Sequence, residues 1–138
     1  DDVRSRLESL RNEKGDPYDG IVIDYVNPLT GEPVTKTMNF SMQLLRRGER
    51  TEMHRHTASH VYTVLEGKGH TVIDGKKYEW EENDIFCLPS LAWHEHVVDA
   101  GSDAVLYSVS DKTLLDKLGL YFEDRKTENG EIIRIGRD

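Results

Sequence analysis

The sequence holds one cysteine, four prolines and no long apolar run, and its 26 acidic residues outnumber 18 basic ones. A single thiol, Cys87, excludes an internal disulfide and fits a cytoplasmic setting. It lies in the apolar run Ile85-Phe-Cys-Leu88, so it is expected to be buried and inert. No stretch approaches the roughly 18 apolar residues of a membrane span, so no membrane partner is expected. A net charge of −8 argues against nucleic acid as a partner. The start lacks the charged-then-apolar plan of a signal peptide, and it is Asp rather than Met. That reads as a trimmed chain or a piece of a longer one. At 138 residues the chain is one domain, long enough for a real core.

Val3, Leu7 and Leu10 fall at helical spacing with charges between them, which predicts a short amphipathic helix over residues 2–13. The polar run to Gly20, with Gly15 and Pro17, ends it. Ile21–Val26 reads as a strand closed by the turn Asn27-Pro-Leu-Thr-Gly31, and 37–45 as another. Short strand signals then recur every eight to twelve residues: His60–Leu65, Gly69–Ile73, Lys77–Trp80, Ile85–Leu88, Trp93–Val98 and Ala104–Ser110. Asp74-Gly75 is a preferred pair for a two-residue hairpin turn. Leu114, Leu115 and Leu118 mark a second short helix stopping at Gly119. From Glu123 to Asp138 the chain is polar and reads as loose, apart from a strand at Ile132–Ile135. Many short strands at even spacing imply an antiparallel sandwich or barrel.

Three of the six histidines, His54, His56 and His60, fall within seven residues. Alternation along a strand sends His54 and His56 to one face, where two imidazoles can grip one metal ion if a third ligand arrives from elsewhere. The downstream cluster Trp93-His94-Glu95-His96 is placed to supply it.

These clusters resemble the two motifs of the cupin superfamily. Gly48, His54, His56 and Gly67 fall on the first, with His60 where its Glu stands. Pro89 and His94 fall on the second, where Asn83 and Leu91 replace its glycines and Val98 replaces its Asn. The resemblance spans residues 38–110. It implies an all-β jelly-roll barrel, the double-stranded β-helix, over 21–111, preceded by a helix and linker over 1–20 and followed by a helix and tail over 112–138.

A narrower resemblance runs to the gentisate 1,2-dioxygenases and the related salicylate and 1-hydroxy-2-naphthoate dioxygenases. It is carried by Asp16-Pro-Tyr-Asp-Gly20, Tyr25-Val-Asn-Pro-Leu-Thr-Gly31, Met42-Gln-Leu-Leu45, His54-Arg-His-Thr57, Trp93-His-Glu-His96 and Leu106–Asp111. Those proteins are usually bicupins, and this chain is most similar to their C-terminal cupin. The resemblance implies ring cleavage of a small hydroxylated aromatic carboxylate by O2 at a metal held by His54, His56 and His94. Imidazole ligands with open positions suit Fe(II), with other divalent transition metals as alternatives.

His60 is the candidate catalytic residue, in proton transfer or hydrogen bonding beside the ligands; direct ligation is the alternative, and would close one position. Gln43 and Trp93 are candidate substrate-binding residues. Tyr62 shares the parity of His60 and lines the barrel or fills its core, and His96 is expected beside the ligands rather than on the metal. His70 reads as a polar side chain on the sheet. Arg55 should face outward, and Arg46 and Arg47 read as solvated residues flanking a turn. A homo-oligomer is implied by the resemblance. The rival reading is a non-catalytic metal-binding cupin, one half of a bicupin or a small-molecule binding module.

Overall fold

The fold, taken from a computed structural model, is described for residues 2–136. Helix α1 covers Val3–Ser9 and is capped by Asp2, whose side chain accepts from the Arg4 amide. Strands β1 (Ile21–Asp24) and β2 (Asn39–Leu45) follow, then β3 (His54–His56), β4 (His60–Glu66), β5 (Lys68–Ile73) and β6 (Lys76–Glu81). After β7 (Ile85–Leu88), β8 (His94–Val98) and β9 (Ala104–Ser110) come α2 (Lys112–Lys117), β10 (Glu123–Lys126) and β11 (Ile132–Ile135).

Two antiparallel sheets form the expected jelly roll: one ordered β1-β2-β9-β4-β7, the other β11-β10-β3-β8-β5-β6. Side-chain alternation explains how the core is divided. Leu45, Tyr62, Val64, Leu88 and Leu106 point between the sheets and pack with Trp80 and Val98. Neighbours of opposite parity, Ile21, Leu44 and Val105, point the other way and are covered by Leu7 of α1. The β5–β6 hairpin turns through Asp74 and Gly75 with φ of 47° and 80°, the double positive φ that this residue pair tolerates. At the neck of β4 and β5, a Cβ on Gly67 (φ 82°) would collide with the Asp103 carbonyl, so only glycine fits there.

Three expectations change. Glu123–Lys126 is not loose: it is strand β10, paired with both β3 and β11, while residues 137 and 138 of that tail lie outside the described residues. Its sequence, Glu-Asp-Arg-Lys, has no apolar alternation to announce a strand. Cross-strand ion pairs do that work instead, with Asp124 bound by Arg55 and Arg134. Cys87 is exposed, because the register of β7 on β4 sets it opposite the outward Val61, so that Phe86 and Leu88 face inward while Ile85 and Cys87 face out. Arg46 is not simply solvated: its guanidinium donates to the carbonyls of Arg11 and Glu13, tying the end of α1 to the barrel.

Candidate metal centre

Strands β3 and β8 meet at one cross-strand pair, His54 opposite His94. His56 follows two residues along β3 on the same face, and all three rings are at most 5% exposed. One ring nitrogen from each lies within 4.8 Å of the others, a group that could hold a metal ion. Ring centroids are 4.3 Å apart for His54 and His94, and 5.0 Å for His56 and His94.

The hydrogen bonds behind the rings decide which nitrogens face inward. Nδ1 of His56 lies 2.8 Å from the Ala58 carbonyl, and Nδ1 of His94 lies 3.0 Å from the Ala92 carbonyl. A carbonyl can only accept, so each Nδ1 carries the proton and each Nε2 keeps its lone pair. Nδ1 of His54 lies 3.1 Å from Oε1 of Glu123. That carboxyl is held down to about 2; burial pushes it up, but its hydrogen bonds with His54 and Arg125 prevail. As an ionised acceptor it imposes the same tautomer on His54. The Nε2 atoms of His54 and His94 are buried with no hydrogen-bond partner among the described residues. An unpartnered buried lone pair costs about 1–3 kcal/mol. A cation at the convergence point removes that cost, so the residues present fit a metal ion.

Electrostatics agree with the ligand form. Burial, with the charge of His54 adding to it, holds His56 down to about 4 and His94 well below the usual range. Metals take neutral imidazole, so these rings need lose no proton on binding. His54 goes the other way: burial lowers it, but the Glu123 hydrogen bond and the charges of Asp19 and Glu123 raise it overall.

Two segments close the mouth of the site. Tyr18 stacks on His54 at 5.4 Å, and Arg125 of β10 lies 4.5 Å above the Tyr18 ring. Arg125 also binds Glu123 at 2.6 Å and Asp16 at 3.4 Å, clamping β10 to the turn over residues 16–20. Beside the imidazoles is a cavity of about 180 Å³, bounded by Asp19, Gln43, His56, His60, Tyr62, Ser108, Lys112 and Tyr121, among others.

Gln43 is therefore brought to the cavity, with its amide donating to the Asp19 carbonyl at 2.6 Å. His60 also reaches it, stacked on Tyr62 at 5.3 Å and 4.9 Å from the His56 ring. Burial first, then the neighbouring imidazoles, keep His60 neutral, and its Nδ1 has no partner among the described residues. It is not in the three-nitrogen group. Trp93 is not brought there: it alternates away from His94 and packs under Arg55 at 4.8 Å. His96 sits beside His94, its Nδ1 held at 2.8 Å by Thr71 Oγ1, which also accepts from Trp80 Nε1 at 2.9 Å.

Asp19, Tyr18, Glu123 and Arg125 escape the reading of the sequence as site residues. The first two lie in Asp16-Pro-Tyr-Asp-Gly20, a run that does carry the family resemblance, so a signal existed for them. For Glu123 and Arg125 none did, since charge without alternation looks like a solvated tail.

The cupin domain family matches residues 41–110. The 5-aminosalicylate 1,2-dioxygenase of Comamonas sp is 46% identical over 109 residues, covering 79% of this chain and 29% of that protein. Gentisate 1,2 dioxygenase 1 of Aquipseudomonas alcaligenes is 38% identical over 123 residues, covering 88% of this chain and 35% of that protein. Among solved structures, the salicylate 1,2-dioxygenase of Pseudoaminobacter salicylatoxidans in adducts with gentisate has a TM-score of 0.79 at 26% identity, over 90% of this chain and 34% of that one. The chain spans about a third of the length of these relatives.

Proposed function

The chain belongs to the cupin family, and on that premise we propose that it is a ring-cleaving dioxygenase unit acting on a hydroxylated aromatic carboxylate with O2. The observation that carries this reading is the set of three buried imidazoles whose ring nitrogens converge, with the Nε2 atoms of His54 and His94 unpartnered among the described residues. His54, His56 and His94 would hold the ion, Fe(II) before other divalent transition metals. Fe(II), when bound, supplies a redox centre where a hydroxy acid and O2 are brought together.

The remaining residues bind, orient and move protons. A cavity of about 180 Å³ is below the roughly 300–1,000 Å³ of clefts for drug-sized ligands, and so suits a single ring. Lys112, at the cavity wall, offers a cation to the substrate carboxylate, and the Gln43 side chain offers an amide beside it. His60, neutral and with an unpartnered Nδ1, is placed to take the proton of a ring hydroxyl. Tyr18 and Arg125 cover the outer side of His54 and limit the entry of water.

The test is metal analysis of the purified chain, then anaerobic Fe(II) loading and O2 uptake with gentisate, salicylate and 5-aminosalicylate. Uptake with one of these acids is expected; none from a fully loaded site would end the reading for this chain. The second reading is a metal-holding but non-catalytic cupin, one half of a bicupin or a small-molecule binding module. It expects stoichiometric metal without uptake. Assembly into a dimer or higher homo-oligomer belongs to the same proposal, supported by the exposed Val61 and Ile85 of the outer sheet face, and is checked by light scattering. Among the described residues no helix is long and apolar enough to cross a membrane. A cytoplasmic location is proposed with the rest.

A further inference from the structure

We infer that Ser41 and Ser108 form a specificity subsite in this cavity, a buried hydroxyl pair that takes a hydroxyl or amino group on the far edge of a bound ring. The inference rests on the ring-acid reading of the site. The two residues stand directly opposite each other on β2 and β9, with their side-chain oxygens 2.7 Å apart. Both line the cavity beside the imidazoles, at 7% and 4% exposure. His54, His56 and His94 project from β3 and β8 of the other sheet. Facing sheets pack about 10 Å apart, so a single ring held at the imidazoles turns its opposite edge toward this pair.

The pair has hydrogen-bonding capacity of both kinds to spare. Two hydroxyls hold two O–H donors and four lone pairs. Their mutual bond uses one of each, and neither oxygen makes another hydrogen bond among the described residues. One donor and three lone pairs are left at the cavity. A ring hydroxyl or amine, which both donates and accepts, matches both. A methyl group or a bare ring carbon matches neither, and a carboxylate can only accept.

The sequence along both strands turns polar where the cavity begins. On the inner face of β2 the order runs Leu45, Gln43, Ser41, and on that of β9 it runs Leu106, Ser108, Ser110. The two leucines belong to the core cluster, whereas Gln43 and Ser108, next on the same faces, already border the cavity. Across from Ser108 on β4 stands Tyr62, and two residues away on the same face is His60, whose Nδ1 is buried without a partner among the described residues. The hydroxyl pair and His60 thus bound one space. A site built to bond a substrate hydroxyl or amine rejects the analogue that lacks it, because the site's own polar groups are then left unpaired.

The probe is the chain loaded with Zn(II), an ion without redox chemistry, titrated by calorimetry with gentisate, 5-aminosalicylate and 5-methylsalicylate. Wild type, Ser41→Ala, Ser108→Ala and the double variant are compared, with circular dichroism to verify folding. Removing both partners of one hydrogen bond strands neither, so the double variant keeps a sound core. Wild type is expected to favour gentisate and 5-aminosalicylate over 5-methylsalicylate by at least about tenfold. The double variant should bring that ratio close to one, and each single variant, which keeps one hydroxyl, should fall between. A wild type without the preference, an unchanged ratio in the double variant, or equal weakening of every acid overturns the inference and leaves the ring-acid reading standing. No binding of any of the three acids by the loaded wild type overturns both.

Discussion

Oε1 of Glu123 lies 3.1 Å from Nδ1 of His54, a contact between residues 69 apart in sequence. The next residues of the same two strands, Arg55 and Asp124, make their own ion pair on the opposite face. The β3–β10 pairing thus orients a metal-facing ring with one side chain and locks the strand with the next.

Replacing Glu123 by Ala leaves Nδ1 of His54 without its carboxylate, so neither ring orientation nor tautomer is enforced. Metal affinity should fall by about 10- to 100-fold, the usual effect of losing a ligand's supporting partner. Competition against a chelator of known affinity measures this, and Glu123→Gln, whose amide oxygen can still accept, should lose less.

Asp124 is 1% exposed and is shared by Arg55 and Arg134. The Arg134 hydrogen bond, against the opposing effect of burial and helped by Arg55, holds its carboxyl below the ordinary 3.8. A depressed carboxyl contributes stability that is fully present above its unfolded value and is lost as pH falls below it. Asp124→Asn should therefore cost about 1–3 kcal/mol at pH 7 by urea unfolding. The gap from wild type should narrow as the pH is taken below 3.8.

Thr71 is fully buried and its hydroxyl bridges Trp80 Nε1 and His96 Nδ1. An indole nitrogen only donates, so the Thr71 oxygen accepts from it while also holding His96 Nδ1 at 2.8 Å. Thr71→Val strands both partners in the core. A loss of about 2–5 kcal/mol is expected in chemical unfolding monitored by tryptophan fluorescence, with a shifted Trp80 emission before unfolding.

Much of the barrel was legible because the information is local. Asp74-Gly75 names its own turn, and strands β7 and β9 run over the residues their composition marks. His54 and His56 share a face by alternation alone, and motif position brought His94 to them. What failed to show was which side of a strand is the inside. Ile85-Phe-Cys-Leu88 is apolar throughout, so only its register on β4, with Cys87 opposite the outward Val61 and Phe86 opposite the buried Tyr62, sends Cys87 outward. The same alternation puts Trp93 beside Arg55 and away from the cavity.

The sequence by itself determined the kind of fold and the three imidazoles, since turn chemistry, alternation and the motif residues are properties of short stretches. Tertiary structure alone decided the surroundings of those imidazoles. Asp19 comes from a turn ahead of the barrel, in a run that the family resemblance marks, and Glu123 from a charged strand behind it, and neither short stretch fixes its distance to His54. Their place follows from sheet order, which sets β10 against β3, and from the clamp of Arg125 on Asp16. Such pairings are chosen by the packing of the whole chain, because an ion pair between distant segments forms only where the closed barrel has already brought them together.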